Sequence, residues 1–361
     1  MWRFSVSVLI LAAAVSLLAI GCSSSSPTAA PTKAAEPPKA AEPNKASAAQ
    51  PTAASAAAPA KKVDFPQKGK TISIVVPYAA GGGTDLGARI MAASLEKDLG
   101  TSVQIINKAG AGGQVGVTDV LASKPDGYTI GYMNWPQIIP LYMDPDRKAA
   151  FTRKSIQPVA VDLADPICVA VKADSPYKGL KELIDSAKAN PETVKTGDDG
   201  IMGLANLTLL QIQQATGAKF ALVHFDGGAP STTALLGGHI DASLGGTNLY
   251  QPQVKSGALR VAAIFDKQES KFLPGVKTAE EQGYNLNSPQ VRGYFVPAGT
   301  PTEVVDVLVA AMKKSVESED HKKKIDETGQ LIQFMGTAQF TTLWDEMETQ
   351  QKPLIEMAKK Q

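Results

Sequence analysis

The chain reads as an α/β protein with mostly parallel sheets, divided into two domains with a ligand cleft between them. Three observations predict this. Short β-branched runs alternate with helical patterns along most of the chain, as parallel sheets covered on both faces require. The part able to fold starts near Val63 and keeps about 298 of the 361 residues, enough for two domains. At least four strands end in glycine-rich loops that carry a polar residue, at 79–85, 107–113, 197–203 and 226–229. Ligands of open α/β sheets sit at the carboxyl ends of strands, so several such loops from two domains predict a shared cleft.

The elements follow in order. Residues 72–76 are a β-branched run that suits a buried strand, and Pro77 ends it because it has no N–H for a ladder. Ala79 to Gly83 make a glycine-rich turn. Thr84 or Asp85 is placed to cap a helix with Leu86, Ile90, Leu95 and Leu99 on roughly one side. Strand, glycine loop and helix N-terminus together make an anion-receiving device, since free N–H groups and the positive end of the helix dipole point the same way. Further strands are expected at 103–106, 128–133, 167–171, 194–196, 220–224, 240–244, 260–265 and 293–296. Helices are expected at 115–122, 180–189, 206–216, 231–236, 303–316, 321–327 and 340–359.

The first 22 residues are an export signal: Arg3, an apolar run from 4 to 20, then Gly21-Cys22. Leu18-Ala19-Ile20-Gly21-Cys22 resembles a bacterial lipoprotein signal, in which Cys22 becomes the lipidated first residue of an extracytoplasmic protein held at the membrane surface. The alternative is an uncleaved single-span anchor. Residues 23–62 hold 31 Ala, Pro, Ser and Thr among 40, with no aromatic residue and no Val, Ile, Leu or Met. Such a segment cannot bury enough apolar surface to offset its ordering entropy, so 23–63 is expected to be a disordered tether.

Composition removes several classes. With 36 Lys+Arg against 35 Asp+Glu the net charge is +1, which gives no electrostatic case for nucleic acid. Cys22 and Cys168 are the only cysteines, and His224, His239 and His321 are scattered, so no metal site or cofactor is expected. An enzyme would need a nucleophile elbow, a P-loop or a Cys/His cluster, and none is present. Gly110 to Gly113 imitate a dinucleotide fingerprint, but the spacing is one residue too long, and close helix–strand packing is the reading given to them. His224, His239 and Cys168 are read as structural.

The order of motifs is more specific than any one of them. Pro77-Tyr-Ala-Ala-Gly-Gly-Gly-Thr-Asp85 with Arg89, Asn107 with Gly110-Ala-Gly-Gly113, Pro125-Asp-Gly-Tyr-Thr129, Gly227-Gly-Ala-Pro230 and Ala234 to Asp241 occur in sequence. Pro274 to Gly283 and Val296-Pro-Ala-Gly-Thr-Pro301 follow. This set resembles the substrate-binding proteins of tripartite tricarboxylate transporters, the TctC or Bug family, over nearly all of 66–345. The resemblance implies a type II-like periplasmic-binding-protein fold with a hinged cleft. Domain 1 would be 66–164 plus 290–361, and domain 2 would be 165–289. It also implies a monomer that hands a small organic acid to a membrane permease; a sensor subunit is the alternative use. The loop Tyr78, Ala79, Ala80, Gly81, Gly82, Gly83, Thr84 and Asp85 would hold a ligand carboxylate through backbone N–H groups and the Thr84 hydroxyl. Trp135 joins Tyr78 as a candidate aromatic wall. Met202, Gly203, Gly227, Thr247 and Asn248 are the candidates from the opposite loops.

Four positions depart from the family pattern. Asp198 and Asp199 stand where small hydroxyl residues are usual, Asp226 where Lys is frequent, and Arg292 where a small or aromatic residue is usual. If Asp199 or Asp226 faces the cleft, a second carboxylate would meet like charge there. The expected ligand therefore has one carboxylate and an amino or neutral polar far end. Pairing of Arg292 with one of these aspartates is the competing expectation.

Overall fold

The computed structural model describes residues 63–361. The export signal, Cys22 and almost all of the tether lie outside the described residues. No described helix is long and apolar enough to cross a membrane.

Two sheets organise the chain. The first contains β1 (Ile72–Val76), β2 (Val103–Asn107), β3 (Thr129–Trp135), β4 (Ile156–Ala164), β10 (Val291–Pro297) and β11 (Leu331–Met335), in the order β11-β4-β10-β3-β1-β2. The second contains β5 (Ile167–Lys172), β6 (Lys195–Asp198), β7 (Ala221–His224), β8 (Ala242–Gly246) and β9 (Leu259–Ile264), in the order β7-β6-β8-β5-β9. The expectation of mostly parallel sheets is corrected. β1 runs parallel to β2 and β3, and β6 parallel to β7 and β8, but β10 is antiparallel to β3 and β4, β11 to β4, and β5 to β8 and β9. Both sheets are mixed because β5 and β10, the strands that follow each passage between sheets, enter against the direction of their neighbours.

Helices cover both faces of each sheet. Around the first sheet lie α1 (Gly83–Leu99), α2 (Gln114–Leu121), α3 (Ile139–Met143), α8 (Thr302–Glu317), α9 (Glu319–Glu327) and α10 (Thr337–Ala358). Around the second lie α4 (Leu180–Ala189), α5 (Leu204–Thr216), α6 (Gly228–Leu236) and α7 (Thr247–Lys255). Strand alternation divides the core. Ile72, Ile74 and Val76 pack with Met91, Leu95, Leu308 and Met312 on one face, while Val75 joins Met133, Trp135, Phe340 and Trp344 on the other. The second sheet splits the same way, with Val169 and Val171 toward α4 and α5, and Cys168 and Ala170 toward Leu235 and Tyr250. Cys168 is thus a buried core residue.

Two local expectations change. Leu86 is exposed and the buried face of α1 is Gly87, Ala88, Met91, Ala92 and Leu95, because close approach to Leu163 and Tyr132 leaves room only for small residues near the start. Strand β4 was not expected, since Pro158 interrupts its apolar run. It is tolerated because β11 pairs only with Val161 to Ala164, and a register shift in the pairing with β10 falls between Ala160 and Pro158.

The chain leaves the first sheet after Ala164, and Asp165-Pro166 leads into β5. It re-enters at Val291, and the Asp165 N–H donates to the Gln290 carbonyl at 2.9 Å. The two passages therefore lie side by side.

Candidate functional site

A cavity of about 360 Å³ opens where the carboxyl ends of strands from both sheets meet. Tyr78 follows β1, Gly112 follows β2, Asn134 ends β3, and Gln137, Pro140, Leu141 and Arg147 belong to the segment after β3. Asp199, Ile201, Met202 and Gly203 follow β6, Gly227 and Gly228 follow β7, and Gln290 borders from the passage. The volume falls within the usual range for small-molecule sites.

The lining includes several polar residues. Tyr78 Oη, Gln137 Oε1 and Arg147 Nε are buried without a hydrogen-bond partner among the described residues. Burial pushes the Tyr78 phenol well above its ordinary value, which keeps it a neutral donor. Backbone geometry adds to this. Met202 (φ 63°) lines the cavity in the left-handed region, Ala111 (φ 49°) precedes Gly112, and Lys148 (φ 49°) follows Arg147. Left-handed non-glycine residues are uncommon and gather at ligand clamps.

Arg147 is the only cation among the lining residues and Asp199 the only anion. Arg147 closes a short 3₁₀ turn, Pro145–Arg147, after α3. Its Nε lies 3.8 Å from Asp144 Oδ2, and that buried carboxylate is shared with Lys359 at 3.4 Å. Gln114 Nε2 donates to the Arg147 carbonyl at 3.1 Å, which fixes the turn against α2. Asp199 Oδ1 accepts the N–H groups of Ala205 (3.1 Å) and Asn206 (3.4 Å) in the first turn of α5. Its Oδ2 takes no hydrogen bond among the described residues. Burial first, then neighbouring Asp198, raises the Asp199 carboxyl to about 6. A Cβ on Gly203 would stand 2.2 Å from Asp199 Oδ1, so the carboxylate reaches the helix only because residue 203 is glycine.

The 79–85 loop is arranged differently from the expectation. Only Tyr78, at its edge, lines the cavity; Ala79 to Gly82 are exposed, and Gly83, Thr84 and Asp85 are engaged elsewhere. Gly82 is the N-cap of α1, so neither Thr84 nor Asp85 caps the helix. Asp85 Oδ2 accepts Gly81 N–H at 2.8 Å and Arg89 Nε at 2.9 Å, and its Oδ1 accepts Asn107 Nδ2 at 2.9 Å. Burial opposes ionisation, but these hydrogen bonds, that of Arg89 foremost, outweigh it and lower the carboxyl below its ordinary value. Thr84 Oγ1 donates to Asn134 Oδ1 at 2.9 Å, one bond away from the cavity wall.

Five other candidates are corrected. Trp135 is fully buried against Phe295, Phe340 and Trp344 and is part of the core rather than a ligand wall. Asp198 is fully buried and accepts from Gly200 N–H, Asn206 Nδ2 and His224 Nδ1, each at 2.9 Å, so it braces the loop and points away from the cavity. This gives His224 its structural partner. Asp226 is exposed and outside the lining. Thr247 and Asn248 turn to Asp165, which accepts Thr247 Oγ1 at 3.2 Å and Asn248 N–H at 3.3 Å. Arg292 pairs with that same Asp165 at 3.3 Å, not with Asp199 or Asp226, and donates to the Gly83 carbonyl at 3.4 Å. Sequence reasoning missed Gly112, Asn134, Gln137, Pro140, Leu141, Arg147, Ile201, Gly228 and Gln290 as lining residues. For Arg147 the one available signal was a cation inside Asp144-Pro-Asp-Arg147, a turn-forming stretch after a strand.

Comparison with known proteins places the chain. Residues 87–359 match the TctC family, described as tripartite tricarboxylate transporter family receptor. The UPF0065 protein in the gbd 5′ region of Cupriavidus necator is 31% identical over 299 residues, covering 81% of this chain and 88% of that protein. The crystal structure of a TctC solute-binding protein from Polaromonas, without ligand, is similar with a TM-score of 0.71 and 28% identity, over 81% of this chain and 99% of that one. MatC from Rhodopseudomonas palustris with bound malate gives a TM-score of 0.68 and 25% identity, over 80% and 99% of the two chains. An α/β architecture of two mixed sheets, strand-end loops meeting at one cavity and a family match over most of its length agree: the chain belongs to the tripartite tricarboxylate transporter receptor family, whose members are extracytoplasmic solute-binding proteins.

Proposed function

We propose that this protein captures a small carboxylate-bearing organic acid in the cavity and delivers it to a tripartite tricarboxylate-type permease. In this reading the protein is a monomeric receptor without catalytic turnover. Its domain 1 is 66–164 plus 290–361 and its domain 2 is 165–289, and the two close over the acid about the passages at Asp165 and Gln290. The observation that carries the reading is the meeting of strand-end loops from both sheets on one cavity whose single cationic lining residue is Arg147. A carboxylate brings acceptors for the guanidinium, and charge-assisted bonds to Arg are the strongest of that kind. Malate in MatC is a small acid of this class. Cys22 carries the lipid anchor and 23–63 the tether, which holds the receptor extracytoplasmically at the membrane surface. Denaturing the purified protein and identifying released small molecules by mass spectrometry tests the capture step. A carboxylic acid in stoichiometric amount is expected; a bound neutral sugar or a nucleotide would refute it. Loss of uptake of that acid on deletion of the permease genes tests delivery.

A further inference from the structure

Resting on the carboxylate-capture reading, we propose that the site is bipolar: Arg147 holds the ligand's carboxylate and Asp199 holds a protonated amine, so the ligand is a small amino-bearing monocarboxylic acid.

The charge inventory is the first argument. The cavity presents one cation and one anion, and its remaining polar lining consists of neutral side chains and backbone: Tyr78, Asn134, Gln137 and Gln290. A ligand of matching net charge carries one carboxylate and one cationic group. A dicarboxylate would satisfy Arg147 and leave its second charge with the Asp199 end, where like charge in a partly desolvated space is unfavourable.

The geometry is the second. The Arg147 guanidinium makes no hydrogen bond among the described residues, and its one anionic neighbour, Asp144, is nearer to Lys359 (3.4 Å) than to Arg147 (3.8 Å). Lys359 also reaches Glu356 at 3.5 Å, where exposure lets water screen the pair. Gly112 keeps the space beside the guanidinium open, since even a Cβ there would stand 3.4 Å from Nη1. On the loop after β6, Asp199 spends one oxygen on the first turn of α5 and keeps the other for a donor. The helix N–H groups hold this carboxylate in place without a side-chain cation, so the cation is left for the ligand to supply. A cavity of about 360 Å³ suits a small acid.

The test is calorimetric titration of matched pairs of equal chain length: 4-aminobutyrate against succinate, 5-aminovalerate against glutarate, and glutamate alone as a mixed case. The full set is repeated on Asp199→Asn, Arg147→Gln and Arg147→Lys. Asn keeps an Oδ1 acceptor for the α5 N–H groups while removing the charge, and unfolding curves establish that each variant is folded. The amino acids are expected to bind the natural protein roughly tenfold or more tighter than their dicarboxylate partners, as one charge-assisted bond would give. Asp199→Asn should abolish that preference, and Arg147→Gln should weaken both classes, with Arg147→Lys restoring part of the loss. Dicarboxylates binding as tightly as amino acids, or a preference unchanged in Asp199→Asn, would overturn the bipolar site and leave carboxylate capture standing. Binding of none of these acids, with a neutral solute found on the purified protein, would overturn both.

Discussion

Asp85 and Asp199 occupy matching places and do opposite things. Each lies between a strand and the body of a helix, Asp85 after its glycine turn and Asp199 before its own, and each meets the first turn of that helix. Asp85 is surrounded by donors: Gly81 N–H, Arg89 and Asn107 take both its oxygens, and its carboxyl is lowered. Asp199 has two backbone donors on one oxygen, Asp198 beside it, and a carboxyl raised to about 6. A satisfied carboxylate holds its own loop and offers a ligand little. An under-satisfied one beside a cavity is a site waiting for a partner. Position in a strand–turn–helix unit therefore does not decide which loop binds; the donors that long-range packing brings do.

The largest effect that would test the contrast is on stability. Asp85→Ala should lower the unfolding free energy by about 3 kcal/mol, since it strands Asn107 and the Gly81 N–H and unpairs Arg89. Asp199→Ala should cost only about 1 kcal/mol, the value of a helix cap. Urea unfolding of both variants measures this, and equal losses would erase the distinction. Next in size is Gly203→Ala. Its Cβ would collide with Asp199 Oδ1, so about 2 kcal/mol of stability is expected to go, together with ligand discrimination. The matching change in the other loop, Gly81→Ala, meets no atom within 4 Å and opposes only a φ of +86°. It should cost about 1 kcal/mol and leave ligand affinity nearly unchanged. Calorimetric titration with the acid recovered from the protein reads both, and equal effects on affinity would return the 79–85 loop to the site.

The smallest effect is in pH dependence, where the two aspartates should differ in sign. A raised carboxyl favours the protonated folded state, so the contribution of Asp199 falls as pH rises from about 4 to about 6 and is level above that. A lowered carboxyl favours the ionised folded state, so the contribution of Asp85 is present above about 4 and is lost as pH falls below it. Thermal melts from pH 3 to pH 8 should show Asp199→Asn flattening the loss between about pH 4 and pH 6 and Asp85→Asn flattening the loss below about pH 4. Parallel profiles would break the comparison.

Much of this was legible because it is local. The strand at Ile72–Val76 and the helix Leu180–Ala189 were read with their observed limits, since β-branched content, apolar periodicity and terminal Gly or Pro act within a few residues. Tyr78, Asp199, Met202, Gly203 and Gly227 were read as site residues and line the cavity. Trp135 was misread because a large aromatic at a strand's end looks alike whether it faces a ligand or a core. Phe340 and Trp344, more than 200 residues later, decide which. Thr247 and Asn248 were misread for the same reason, since Asp165 reaches them from another strand's end.

The sequence by itself determined that strand-end glycine loops exist, that acidic residues stand at 198, 199 and 226, and which family the motif order resembles, because these are properties of residue type and spacing. Only the tertiary structure decided which aspartate is free. Asp198 is consumed by His224 and Asn206, Asp226 is left to solvent, and Asp199 faces a cavity whose one cation, Arg147, arrives on a turn after a different strand. That meeting depends on loops from two sheets being brought to one cavity, and no short-range signal carries it.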